Sequence, residues 1–144
     1  MRNKIGFPEI ENIVGRFAAN NAVFLSKIDI VVGISRGGLA PAALLAARID
    51  KPLAAAYIDK NDNIFFDRAD WINGKNILVV DDVIRSGKTL WLLKEHLKKY
   101  TNPAEVSFFA LYRIAGLARP EFHVKAFARD INHDIVFPWD HDRR

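Results

Sequence analysis

Residues 77–90 read ILVVDDVIRSGKTL. The opening ILVV is a short, uninterrupted apolar run, the pattern of a strand buried on both faces. It ends in two carboxylates, Asp81 and Asp82. Five residues beyond Asp81, Ser86-Gly87-Lys88-Thr89 opens an amphipathic stretch that predicts a helix over 86–99. The first amides of a helix lack internal partners and carry partial positive charge. Gly87 permits a tight turn and close approach to the backbone. Ser86 and Thr89 add hydroxyl donors, so the segment suits a phosphate monoester. It is not a Walker A loop, because the GxxxxGK[ST] spacing is absent. Adjacent carboxylates do not suit phosphate; they suit ribose hydroxyls or a hydrated Mg²⁺. The implied ligand carries both a phosphate and a sugar diol. A bare SGKT would more simply be a strand end with Ser86 as a helix N-cap. The apolar strand, the acidic pair and SGKT together favour the ligand site.

Outward from this string, the chain alternates short β-branched runs with helical stretches. Residues 8 to about 25 predict a helix, with Ile10, Ile13, Val14, Phe17 and Ala18 at helical spacing. Residues 29–34 (DIVVGI) predict a buried strand. LAPAALLAARI, after Gly37-Gly38, predicts a small-residue helix able to pack closely on a sheet. Strands follow at 52–58, 76–80, 104–112 and 123–128, with a short last one at 135–137. Residues 60–74 are polar around IFF and read as a β-hairpin or a mobile loop. This order implies a mostly parallel sheet with helices on both faces. Ligands of such sheets sit at the carboxyl ends of the strands. SRGG at 35–38 and DDVIRSGKT at 81–89 both fall there.

Composition narrows the chemistry. The chain has 144 residues, half of them hydrophobic, which suits one domain spanning 1–144. It has no cysteine, so thiolate metal sites and cysteine nucleophiles are excluded. No secretory signal or membrane-length apolar run is visible, and the expected location is the cytoplasm. The net charge of +4 fits a soluble surface, a nucleic-acid face or a pocket for a small polyanion. No dense basic run exists beyond Arg143-Arg144, so neither nucleic acid nor membrane is expected as a partner. A soluble surface and a pocket for a small polyanion both stay open.

VVDDVIRSGKT resembles the 5-phosphoribosyl 1-pyrophosphate (PRPP) signature of type I phosphoribosyltransferases. Strand 29–34 followed by SRGGLAPAALLA resembles the pyrophosphate loop of the xanthine/guanine and hypoxanthine branch. DIVFPWD, near the end, resembles that branch's base-pocket strand. The resemblance covers nearly the whole chain. It implies an α/β fold with a mostly parallel central sheet flanked by helices and a small C-terminal base-pocket element. It implies that Asp81 and Asp82 hold the ribose hydroxyls, with Asp82 also near Mg²⁺. Arg85, Ser86, Gly87, Lys88 and Thr89 would surround the 5-phosphate. Ser35, Arg36, Gly37 and Gly38 would take the pyrophosphate, with a cis non-proline peptide beside Arg36. Arg36 offers a forked cation, and Gly37-Gly38 leaves amides exposed.

Three departures from the purine pattern bear on the base. Arg85 stands where 6-oxopurine enzymes carry an acid/base Asp, and an arginine cannot act as a general base. Asp134, with His133 beside it, stands where a base-stacking aromatic is expected, just before Ile135. Asp134 cannot stack, though it can accept a hydrogen bond from an exocyclic amine; His133 is a candidate for proton transfer, a task to which an imidazole is suited by its type. Arg113 stands near the position at which the purine branch carries a Lys that reads the 6-oxo group. Phe137 or Trp139 is a candidate apolar wall. Residues 59–74 occupy the place of the family's lid, from which Lys60 or Arg68 could reach pyrophosphate; the alternative is a packed hairpin.

The resemblance thus implies Mg²⁺-dependent transfer of a phosphoribosyl group from PRPP to a nucleobase, a 6-oxopurine above others, with release of pyrophosphate. It also implies a homodimer or homotetramer. The competing reading, motivated by Arg85 and Asp134, is a non-catalytic module of this fold that binds PRPP or a nucleotide for regulation.

Overall fold

Six strands form the central sheet of the computed structural model, which describes residues 3–102, 105–114, 126–131 and 135–140. In chain order they are β2 (Ile30–Ser35), β3 (Leu53–Ile58), β4 (Ile64–Phe66), β5 (Ile77–Ile84), β6 (Val106–Ile114) and β7 (Ala126–Ile131). Across the sheet the order is β4-β3-β2-β5-β6-β7. All neighbours are parallel except β4, which folds back antiparallel on β3. Within 60–74, β4 thus forms a hairpin with β3, the first of the two readings, and a 3-10 turn follows at Ala69–Trp71.

The core is two-sided because the strands alternate. Val31, Leu78, Val80, Phe109 and Leu111 face one layer with α1 (Phe7–Asn20) and α3 (Leu39–Ile49). Ile30, Val32, Ile77, Val79 and Phe108 face the other, with α4 (Lys88–Leu97). Burial on both faces explains the near-continuous apolar runs in the sequence. Phe17 stacks on Phe109 with ring centroids 3.9 Å apart, seating α1 on the sheet. The alanine-rich α3 comes very close to β2: a Cβ on Gly33 would lie 2.8 Å from that of Ala42.

The structure corrects several element boundaries. The helix expected over 8–25 is two: α1 ends at Asn20, and α2 (Ala22–Ser26) follows. Asn21 breaks it, with φ −129°, and its Nδ2 donates to the Phe17 carbonyl at 2.9 Å. The side chain thereby replaces a backbone partner that a helix end lacks. The strand expected to stop at Val80 runs on to Ile84, because β6 continues to pair with it through Ile84 opposite Arg113. The helix expected over 86–99 begins only at Lys88, with Gly87 as its N-cap at φ 86°. The last short strand, β8 (Ile135–Val136), lies outside the large sheet and pairs parallel with β1 (Asn3–Lys4).

Topology places the site. From β2 the chain moves through α3 to β3 on one side. From β5 it moves through α4 to β6 on the other. The carboxyl ends of β2 and β5 therefore flank the point where the winding direction reverses, where open α/β sheets leave a crevice.

Candidate functional site

That crevice holds a cavity of about 720 Å³. The loop after β2 contributes Ser35, Arg36 and Gly37; β5 and the turn after it contribute Asp81, Asp82 and Arg85 through Thr89. Ile135, Phe137 and Asp140 close one side, while Tyr57, Asp59 and Asp62 from the β3–β4 hairpin close the other. Two segments separated by more than forty residues of sequence thus meet, as the two loops suggested.

The loop after β2 is shaped by steric limits. The Ser35–Arg36 peptide is cis. Arg36 is exposed and lines the cavity. Gly38 is buried, and a Cβ there would collide with the Val80 carbonyl oxygen of β5. Its amide donates to the Ile34 carbonyl at 2.8 Å. Gly38 therefore serves close backbone packing, and its N–H is not turned to the cavity as the sequence suggested. Gly37 does line the cavity, and a Cβ there would fall on the Asp82 carboxylate.

The acidic pair lies within β5 and not in a turn. Asp81 pairs opposite Ala110 and Val83 opposite Tyr112, so the register passes over Asp82. Asp82 N–H donates to Asp81 Oδ1 at 2.8 Å, and Val83 N–H donates to Asp82 Oδ1 at 2.7 Å. Asp82 Oδ2 accepts the indole N–H of Trp139 at 3.1 Å. Burial first, and the neighbouring Asp82 charge second, push the Asp81 carboxyl well above the ordinary carboxylate range. Asp81 nonetheless keeps some accessible surface and lines the cavity. Two crowded carboxylates, one reluctant to ionise, favour a cation or hydroxyl donors as ligand.

Among the described residues no cluster of three or more His, Cys, Asp or Glu could hold a metal by protein ligands alone. The acidic pair suits Mg²⁺ in its common mode instead: one or two carboxylates, with the remaining positions filled by water and substrate phosphates.

At the start of α4, Ser86 Oγ accepts the Lys88 amide at 3.3 Å. The hydroxyl thus acts as a local cap, while Gly87 is the N-cap residue. Lys88 points across the cavity mouth to Asp62, with Nζ 3.3 Å from Oδ2 and both side chains substantially exposed. Asp62 sits at φ 63° in a turn whose Asp59 carboxylate accepts the amides of Asn61 and Asn63. Those two amides hold Asp59 below the usual carboxylate range, Asn63 foremost.

The remaining candidates divide. Ile135 lines the cavity. Arg113 lies at the end of β6, opposite Ile84 and Asp130, and is not part of the cavity wall. His133 and Asp134 lie outside the described residues. Arg68 stacks over Trp71 at 4.5 Å, and Lys60 is exposed; neither lines the cavity. Phe137 is a buried wall residue, stacked on Trp139 with centroids 4.9 Å apart and planes 6° apart. Sequence reasoning missed Tyr57, Asp59, Asp62 and Asp140 in the wall. It also missed the bond from Trp139 to Asp82. The sequence marks Trp139 only as a residue with one indole N–H to donate. Nothing local names the acceptor.

Comparisons with known proteins agree with this geometry. Residues 7–143 match the model of the phosphoribosyl transferase domain. A xanthine-guanine phosphoribosyltransferase of Cereibacter sphaeroides is 31% identical over 122 residues, covering 76% of this chain and 68% of the relative. One from Idiomarina loihiensis is 29% identical over 120 residues, covering 76% and 70%. The crystal structure of a purine phosphoribosyltransferase from Pyrococcus horikoshii superposes with a TM-score of 0.81 at 24% identity, covering 97% of this chain and 94% of that one. With the family model spanning almost the entire chain, and with the fold and the crevice as described, this chain belongs to the phosphoribosyl transferase domain family.

Proposed function

We propose that the chain is a cytoplasmic, Mg²⁺-dependent phosphoribosyltransferase that moves the 5-phosphoribosyl group of PRPP to a 6-oxopurine and releases pyrophosphate. One observation carries the reading. A single cavity joins the loop after β2, the acidic pair and the start of α4, three surfaces suited to a pyrophosphate, a diol and a phosphate. The relatives named xanthine-guanine phosphoribosyltransferase support the purine assignment.

The residues divide the work by chemistry. The amides at the start of α4, with the Ser86 and Thr89 hydroxyls, take the 5-phosphate, and Arg85 and Lys88 add charge at the rim. Asp81 and Asp82 accept hydrogen bonds from the ribose hydroxyls and orient the sugar. Ser35, Arg36 and Gly37 receive the pyrophosphate, and Arg36 offsets its growing charge as the bond to C1 breaks. When bound at Asp82, Mg²⁺ supplies further neutralisation of the leaving group. A ring nitrogen of the base attacks C1 from the opposite face. The C1–oxygen bond breaks with inversion, and the proton of that nitrogen is released. The base faces Ile135, with Arg113, His133 and Asp134 as the further candidates carried by the resemblance. Arg85 offers no base catalysis at this point, so the chain contributes chiefly positioning and charge stabilisation. Exposed Phe7, Tyr57, Phe65, Trp71 and Trp91 support assembly as a homodimer or homotetramer.

Incubation with labelled PRPP, Mg²⁺ and a panel of hypoxanthine, guanine, xanthine, adenine and orotate tests the proposal. Nucleotide formed with one or more 6-oxopurines is the expected result. PRPP binding without nucleotide from any base would replace the transferase with the regulatory module.

A further inference from the structure

The Asp82 carboxylate is touched from three directions. Val83 N–H, on its own strand, holds Oδ1 at 2.7 Å. Gly37, in the loop after β2, lies so close that any Cβ would overlap it. Trp139, in the C-terminal segment, holds Oδ2 at 3.1 Å. A carboxylate with both oxygens engaged in charge-assisted bonds gives up those bonds when it changes rotamer, which favours the orientation seen here.

Trp139 is itself fixed. Its ring stacks flat on Phe137 and meets Phe7 edge-on at 6.3 Å. Asp140 clamps the turn, its Oδ2 accepting the Phe137 amide at 3.0 Å while its own amide donates to the Phe137 carbonyl at 3.0 Å. Ile5 N–H donates to the Val136 carbonyl at 3.1 Å, so the segment is also stitched to the β1 side of the molecule. The same short segment supplies Ile135, Phe137 and Asp140 to the cavity wall. The indole bond is thus a direct mechanical link between the wall assigned to the base and the carboxylate assigned to ribose and Mg²⁺.

We infer that Trp139 is a positioning residue for PRPP: its indole N–H holds Asp82 in the orientation that receives Mg²⁺–PRPP, and so couples the base-side wall to the phosphoribosyl side. The inference rests on the proposed transferase reading. It concerns a residue that touches Asp82, not the substrate. A residue that only packed the base-side wall would act on base affinity. A residue that orients Asp82 acts on PRPP.

Calorimetric titration of Mg²⁺–PRPP into the wild type and Trp139→Phe tests it without turnover. Phe keeps the stacking surface and removes only the N–H. The expected result is a PRPP dissociation constant raised about tenfold, the size of a lost hydrogen bond to a charged group, with the KM for the base unchanged. In an Asp82→Asn background, Trp139→Phe should add little further loss. Equal PRPP affinity in wild type and Trp139→Phe overturns the inference, as does an equal loss in both backgrounds. A wild type that binds no PRPP overturns the functional reading and this inference with it. Should Trp139→Phe fold poorly, the native indole reports instead. The chain has three tryptophans, so a Trp71→Phe, Trp91→Phe protein leaves Trp139 alone. Its emission should shift when Mg²⁺–PRPP is added without base; an emission that does not move overturns the inference.

Discussion

Gly37→Ala and Gly38→Ala differ by one position, yet they should fail in different ways. The added methyl at Gly37 meets the Asp82 carboxylate; at Gly38 it meets the Val80 carbonyl oxygen, with the Ile34 backbone also 2.9 Å away. A side chain can swing aside, whereas a β5 backbone carbonyl in the middle of the sheet cannot. In Gly37→Ala, Asp82 must leave its rotamer and give up the Val83 and Trp139 bonds. Hydrogen bonds to a charged group contribute about 1.5–3 kcal/mol each. Solvent and new partners recover part of this, so the cost to the unliganded fold should be about 1–2 kcal/mol. For a chain of this length that lowers Tm by about 3–8 °C. The catalytic loss should be larger, because a displaced charge-stabilising group typically costs about 10²–10³ in rate. Gly38→Ala should reverse the balance, with poor folding as its main defect. Initial rates of pyrophosphate release with Mg²⁺–PRPP and hypoxanthine, beside thermal melts, separate the two. A Gly37→Ala protein with wild-type kcat/KM for PRPP would refute the placement of Asp82 at the reaction centre.

Other substitutions probe the remaining contacts. Asp82→Asn should lower kcat/KM by about a hundredfold or more while the melting temperature stays within a few degrees; activity near the wild-type level would remove Asp82 from the site. Asp81→Asn should stabilise the unliganded protein at neutral pH but not near pH 4. The folded carboxyl holds its proton above the unfolded value of 3.8. Between those two values the native state binds more protons than the unfolded chain, so wild-type stability falls as pH rises through the window. Melts from pH 4 to 8 should show the gap between the two proteins opening with pH; a constant gap contradicts the assignment. Asp62→Asn should barely change Tm, because the pair with Lys88 is exposed. It should lower the KM for PRPP by about twofold at low salt, an effect lost at high ionic strength; an unchanged or raised KM at low salt argues against Lys88 as a phosphate-rim cation. Arg85→Asp should weaken PRPP binding, because it replaces a rim cation beside the 5-phosphate with an anion; an unchanged KM for PRPP with raised turnover of hypoxanthine or guanine would show that Arg85 stands at the acid/base position instead.

The parts of the site that were legible in the primary structure are local strings. ILVVDDVIRSGKT holds an apolar strand, an acidic pair and a helix start within the thirteen residues 77–89, and each piece has its own physical signature. SRGG with its alanine-rich helix is legible for the same reason: small residues next to a strand announce close packing. Element boundaries were less legible. Asn21 ends a helix by bonding to its own Phe17 carbonyl, and a competing side-chain bond leaves no mark in apolar periodicity. β5 outruns its apolar residues because β6 lies beside it and extends the ladder past Asp81.

What tertiary structure alone decided is which of those strings meet, and how. Asp82 and Trp139 are 57 residues apart, and Lys88 and Asp62 belong to different elements. Such contacts depend on sheet order and crossover direction, which place β2 beside β5 and bring the C-terminal segment over their ends. Residue types reveal an amide, a carboxylate or an indole with bonds to satisfy. They do not reveal the partner, because a partner is set by where the whole chain packs. The raised Asp81 carboxyl has the same origin: two adjacent aspartates are visible to any reader, but burial, its largest cause, exists only once the sheet has closed around them.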